Sequence, residues 1–178
     1  DGYRIIYMVG RGGYSDVYEV EEIETGNYYA MKTERFDNIK HSIEREIEIM
    51  KILGNSYLLP KYICNGKTKE FIYIVMELLG PPVSQVKRFC QDLKYEPYTV
   101  LKLAFEMIRC IQDFHRRGFV HRDVKPANFL IRSSEKNPLV LVDFGLSERL
   151  YDRQDHHIPF RKDASFIGTF SFCSPNSY

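Results

Sequence analysis

His121-Arg122-Asp123-Val124-Lys125-Pro126-Ala127-Asn128, followed by the apolar Phe129-Leu130-Ile131, decides how the rest of the chain reads. An acid, a lysine and an amide stand close together around a proline, which forbids regular helix. Downstream, the apolar Leu139-Val140-Leu141-Val142 runs straight into Asp143-Phe144-Gly145. The residues between the two apolar runs, 132–138, form a polar turn, so Phe129–Ile131 and Leu139–Val142 read as a hairpin. That hairpin brings Asn128 and Asp143 near one another although the chain separates them. An amide and a carboxylate together suit a hard, partly hydrated cation of the magnesium type.

Working back from this stretch, Arg116-Arg117-Gly118 ends a long helix predicted over Tyr98–His115, with cations at its negative end and a glycine stop. Lys102, Glu106, Arg109 and Asp113 form one polar stripe on it. Val100, Leu101, Leu103, Ala104, Phe105, Met107, Ile108, Ile111 and Phe114 fill an apolar arc wide enough to need partners on more than one side. A short helix is expected over Val83–Cys90. Before it, Glu77-Leu78-Leu79-Gly80-Pro81-Pro82 breaks regular structure. The uninterrupted apolar run Phe71–Met76 reads as a strand interior to a sheet, and Tyr62–Cys64 as a short one. A helix runs from a cap at Asp37 or Asn38 to about Leu53, with Gly54 as its stop. Tyr3–Val9, Asp16–Glu21 and Tyr28–Lys32 are further strands. The first two flank the glycine-rich turn Gly10-Arg11-Gly12-Gly13-Tyr14-Ser15. A strand follows this turn, where a dinucleotide-binding fold would have a helix.

The composition of the 178 residues narrows the function classes. Hydrophobic residues make up 44% and aromatics 14%, enough for a packed core. The formal charge of +1 comes from 25 basic and 24 acidic residues, so no basic field favours nucleic acid or membrane. Glu77 interrupts the longest apolar run, well short of a membrane span. Cys64, Cys90, Cys110 and Cys173 are scattered and read as free thiols in a reducing compartment, cytoplasmic or nuclear. His156-His157 lack further ligands nearby and make a poor metal site.

Taken in order, glycine-rich turn, strand lysine, helix glutamate, break, acid-lysine-amide loop and Asp-Phe-Gly, the chain resembles the protein kinases. The resemblance implies an α+β fold of two lobes: a small antiparallel sheet with one helix over 1–79, the hinge beginning at about 77, and a mainly helical lobe over 80–178. It also implies ATP and Mg2+ as cofactors and transfer of the γ-phosphate to serine or threonine hydroxyls of protein substrates, in an enzyme monomeric when complete. On it, Asp123 accepts the hydroxyl proton, Lys125 steadies the γ-phosphate, and Asn128 and Asp143 hold the metal. Thr169 braces Asp123 and Lys125. Lys32 pairs the α and β phosphates and is oriented by a glutamate. Glu44, Glu46 and Glu48 are candidates, and Glu46 is the choice because Ile49, Met50 and Leu53 follow it at the spacing that packs a kinase helix inward. Gly10, Gly12 and Ser15, the last at the usual third glycine position, cover the phosphates. Val17, Ala30 and Leu130 sandwich adenine, Met76 guards the back of its pocket, and the Glu77 carbonyl and Leu79 amide bond its edge.

Within the kinases, Met76-Glu77-Leu78-Leu79-Gly80-Pro81, His121–Leu130, Asp143-Phe144-Gly145-Leu146 and His157-Ile158-Pro159-Phe160-Arg161 look like the casein kinase I group. Gly168-Thr169 follows at that group's spacing, and Ser174-Pro175-Asn176 is closer to its Ser-Ile-Asn than to the Ala-Pro-Glu of most kinases. Ser171 stands where the group usually has an arginine that helps hold a substrate phosphate, so a preference for primed or acidic sites does not carry over. Kinases of this group continue into further helices beneath the catalytic loop. The expectation is therefore a partial kinase domain whose helical lobe is truncated, marginally stable alone, with exposed apolar surface. The competing expectation is a catalytically inactive nucleotide-binding or scaffold module that ends here.

Overall fold

Side chains repeat every two residues along the strands and every 3.6 along the helices, and these periods set which face of each element is buried. The computed structural model describes residues 2–13, 15–37, 42–54, 56–132, 139–152, 154–159 and 165–175. The chain divides into two compact units, one of residues 1–56 and 60–79, the other of residues 57–59 and 80–178.

The first unit is an antiparallel five-stranded sheet of β1 (Tyr3–Arg11), β2 (Asp16–Glu22), β3 (Tyr28–Arg35), β4 (Tyr62–Lys67) and β5 (Phe71–Glu77), in the order β1-β2-β3-β5-β4. The apolar β5 is interior, as its composition requires. β4 runs to Lys67, three residues past the predicted end at Cys64, because Asn65, Gly66 and Lys67 stay in register with Ile74, Tyr73 and Ile72. Gly66 permits Tyr73 to lie across it: a Cβ there would meet the phenol oxygen at 2.3 Å. One face of the sheet centres on Val20, Met31 and Val75, with Tyr3, Tyr18, Tyr29, Tyr73 and Cys64 packed on them. The Tyr3 hydroxyl reaches Cys64 Sγ at 3.4 Å, and burial with that contact pushes its pKa up.

The alternate β3 residues Lys32 and Glu34 turn to the other face, where α1 (Ser42–Leu53) lies. Ile43, Ile47, Ile49, Met50 and Leu53 are its buried apolar residues. Of the two caps expected, Asp37 is not at the described helix start and Asn38 is not among the described residues. Asp37 lies in a turn and pairs with Arg35, and a carboxylate from β3 meets the first turn. Gly54, at φ 59°, stops the helix as expected.

In the second unit, α2 (Val83–Val86) is a single turn continued by a 3-10 turn at Lys87–Phe89, in place of a helix to Cys90. The long helix α3 spans Pro97–Arg116, its proline in the first turn where no amide is needed. Cys110 and Phe114 are buried on one face. Glu106, expected on the polar stripe, is buried beside them and takes a hydrogen bond from Arg109, whereas Leu101, Phe105 and Ile108 are 61–71% exposed. Burial pushes the Cys110 thiol up to about 12, so it stays protonated and donates weakly to the Leu139 carbonyl.

The rest of this unit is short pairs: β6 (Phe119–Val120) with β9 (Glu148–Arg149), and β7 (Phe129–Ile131) with β8 (Leu139–Leu141). The β7–β8 hairpin is as predicted; the turn at 133–138 lies outside the described residues. The stretch after Gly145, loop-like in sequence, carries β9, a bridge between Tyr151 and His157, and a 3-10 turn at Phe170–Phe172. Residues 57–59 belong here because Leu58 and Leu59 are buried in this unit. The Leu58 carbonyl accepts from the Leu141 amide, and the Arg132 guanidinium donates to the carbonyls of Tyr57 and Leu59. No helix among the described residues is long and apolar enough to cross a membrane.

Candidate active site

The first unit presents a lysine held by an acid. Lys32 Nζ lies 2.6 Å from Glu46 Oε2, and the side chains are 9% and 2% exposed. Two buried charges are tolerable only as such a pair. Of the three glutamates weighed from sequence, Glu46 is the one that reaches Lys32. Glu44 is exposed and pairs with Lys67 at 3.0 Å, and Glu48 is exposed. Ile49, Met50 and Leu53 are all buried, as the spacing from Glu46 requires.

The glycine-rich turn is shorter than predicted. β1 extends through Gly10, opposite Val17, to Arg11, and the Gly12 amide closes the turn onto the Ser15 carbonyl at 2.7 Å. Tyr14 lies outside the described residues. Val17 pairs with Lys32, and the buried Ala30 pairs with the buried Met76, so these four share neighbouring rungs of β2, β3 and β5. The Glu77 carboxylate accepts from the Lys61 amide, and Leu79 ends the unit half-buried.

In the second unit, the loop read from sequence folds around Asp123. Lys125 Nζ donates to Asp123 Oδ2 at 2.7 Å and to Thr169 Oγ1 at 3.0 Å, and Thr169 Oγ1 donates to Asp123 Oδ1 at 2.7 Å. The three make a closed triangle around a carboxylate that is 7% exposed. Pro126 opens a single 3-10 turn, Pro126–Asn128, which swings Asn128 back so that Nδ2 donates to the Asp123 carbonyl at 2.8 Å. Gly168 brings Thr169 in. Its φ is 116°, and a Cβ would stand 2.6 Å from the Arg122 carbonyl oxygen.

The loop is fastened to 142–147 at several points. The Val142 amide donates to the Asn128 carbonyl at 3.0 Å, Arg122 Nε to the Leu146 carbonyl at 2.6 Å, and Ser147 Oγ to the His121 carbonyl at 3.3 Å. Arg122 and Asp143 both sit at positive φ, 64° and 70°, a conformation held by its surroundings where Cβ is present. Phe144 is fully buried, stacked on Phe114 at 5.1 Å and edge-on to His121 at 5.9 Å.

His121 is the residue whose part the sequence does not reveal. Its Nε2 donates to the Val142 carbonyl at 2.9 Å and its Nδ1 accepts from the Asp123 amide at 3.3 Å. That pair of bonds fits the neutral ring alone, since a proton on Nδ1 would face another N–H. Burial accordingly lowers its pKa, against the pull of the Val142 bond and of Asp143 and Asp123, with Lys125 adding to the lowering.

Asn128 and Asp143 offer an amide oxygen and a carboxylate, joined by the Asn128–Val142 backbone bond. Because the Asn128 amide nitrogen is committed to Asp123, its oxygen is the end left for a cation. These donors fit magnesium. Among the described residues no group of three or more His, Cys, Asp or Glu could hold a metal ion. Ser171 lies in the 3-10 turn after Thr169. Phe160, Arg161 and Asn176, quoted for the subgroup, lie outside the described residues. Residues 3–177 match the family model described as "Protein kinase domain".

Proposed function

From the premise that this chain belongs to the protein kinase family, we propose that it is a serine/threonine kinase of the casein kinase I type that transfers the γ-phosphate of Mg-ATP to protein hydroxyls. The triangle of Asp123, Lys125 and Thr169 supports this reading best. Phosphoryl transfer asks for charge neutralisation and alignment more than covalent chemistry. A carboxylate with one oxygen toward a lysine and the other toward a threonine is held rigidly enough to orient a hydroxyl and accept its proton. Lys125, already beside Asp123, would steady the departing γ-phosphate. Magnesium, when bound by Asn128 and Asp143, supplies charge neutralisation at the phosphates.

In the first unit, Lys32 oriented by Glu46 would hold the α and β phosphates. Gly10, Gly12 and Ser15 would cover them with backbone. Val17, Ala30 and Leu130 would enclose adenine, with Met76 at its back and the Glu77 carbonyl and Leu79 amide on its edge. The free state of all four cysteines suits an intracellular setting.

The test is transfer of labelled phosphate from ATP to casein, with phosphoamino-acid analysis of the product. Asp123→Asn is expected to lower turnover by about 10² to 10⁴, the scale of a general base. ATP binding without transfer in the unaltered protein would favour the inactive nucleotide-binding or scaffold module, and phosphotyrosine as the main product would overturn the specificity.

A further inference from the structure

Two residues past Lys32, on the same face of β3, stands a second charged side chain that the site above does not use. Glu34 is 2% exposed. Its carboxylate accepts from the Ser42 amide at 3.1 Å, the Ser42 hydroxyl at 2.6 Å and the Ile43 amide at 3.0 Å. A buried carboxylate is costly unless hydrogen-bonded, and these three donors all belong to the first turn of α1. That turn is also where the helix has unsatisfied amides and the positive end of its dipole.

The spacing is what ties this cap to the lysine. Residues two apart on a strand are about 6.6 Å apart, and residues four apart on a helix rise about 6 Å. Lys32 meets Glu46 while Glu34 meets Ser42, so β3 and α1 are joined by two rungs of matching pitch, one an ion pair and one a hydrogen-bonded carboxylate, running in opposite chain directions. The Lys32–Glu46 rung and the buried apolar face hold the middle and end of α1, and the Glu34 rung holds its start. Together they fix its register along β3.

We infer that Glu34 is a positioning residue: it clamps the N-terminus of α1 and thereby sets where Glu46 is presented to Lys32. The link to catalysis rests on the kinase reading, whereas the clamp itself does not.

The experiment compares the whole chain with Glu34→Gln, which keeps the shape and removes the charge, and with Ser42→Ala, which keeps the carboxylate and removes one donor. Hydrogen exchange over 42–53 is expected to quicken by about tenfold in Glu34→Gln, the scale of a lost helix cap. Turnover is expected to fall by about tenfold, with a smaller loss in Ser42→Ala. The decisive arm repeats Glu34→Gln in a Glu46→Gln background. If Glu34 acts through Glu46, the second change costs less than about twofold there. Unchanged exchange over 42–53 overturns the clamp. An equal loss of turnover in both backgrounds overturns the positioning role and leaves Glu34 a stabiliser of the fold. Should Glu34→Gln fail to fold, Ser42→Ala is judged by the same two criteria. An unaltered protein that transfers no phosphate defeats the kinase reading alone, and exchange then decides the clamp.

Discussion

Replacing Thr169 by valine keeps the shape of the side chain and removes one oxygen. That oxygen donates to Asp123 Oδ1 at 2.7 Å and receives Lys125 Nζ at 3.0 Å, so one substitution opens two sides of the triangle. Asp123 is 7% exposed, which limits how well water can replace the lost donor. A hydrogen bond to a charged group contributes about 1.5–3 kcal/mol. The Asp123–Lys125 bond survives, so the lower half of that range applies to the position of the carboxylate. At about 1.4 kcal/mol per decade of rate, kcat should fall roughly 10- to 40-fold. Thr169→Ser, which restores the hydroxyl, should recover most of it. The assay is labelled phosphate transfer to casein by the three proteins, with thermal melts to check that each is folded. In an Asp123→Asn background the valine change should have little further effect, because the group it braces has lost its charge. A Thr169→Val enzyme within twofold of the unaltered kcat would refute the bracing.

Glu46→Gln removes one counter-charge from the buried Lys32, and breaking such a pair costs up to about 3–5 kcal/mol; urea melts should register the loss, and Lys32→Met with Glu46→Gln together should recover part of it. Gly168→Ala must strain a φ of 116° and push on the Arg122 carbonyl, so kcat should drop with little change in Tm if the strain stays local; an alanine variant with full activity would show that the close approach is dispensable. His121 has its folded pKa below the unfolded value of about 6.5, so its contribution to stability is fully present above that pH and is lost as pH falls toward the folded pKa. Melts at pH 7.5 and 5 should therefore differ more for the unaltered protein than for His121→Gln, and equal differences would count against the neutral ring.

The sequence and the structure part company at identifiable places. Asp123, Lys125, Asn128 and Asp143 are legible because their chemistry is packed into short windows beside a proline and an apolar run. Glu46 is legible by helical spacing, since Ile49, Met50 and Leu53 mark the inward face. Glu34 is not legible. A glutamate near a strand end reads as solvated, and nothing local says that a helix eight residues later will lay its amides against it. Arg132 is hidden for the same reason, its partners lying 73 and 75 residues away. Glu106 misled because a charge in a helical stripe ordinarily faces water, whereas here Arg109 pairs with it and its neighbours Leu101 and Phe105 are the exposed ones. β9 is two residues long and too short to show alternation.

The three residues 57–59 have a consequence for how the chain must be made. They leave the ribosome before β4 and β5, yet their partners Arg132 and Leu141 follow more than seventy residues later. The chain therefore crosses from the first unit to the second, returns for 60–79, and crosses again. Synthesis that paused after residue 79 would leave Leu58 and Leu59, 4% and 2% exposed in the finished fold, without the later residues of their own unit. A cut at that boundary would yield one piece carrying stranded leucines and another lacking the carbonyls that Arg132 holds. Two fragments split there should recover their structure only when mixed, because the Leu58–Leu141 and Arg132 bonds join residues on either side of the cut.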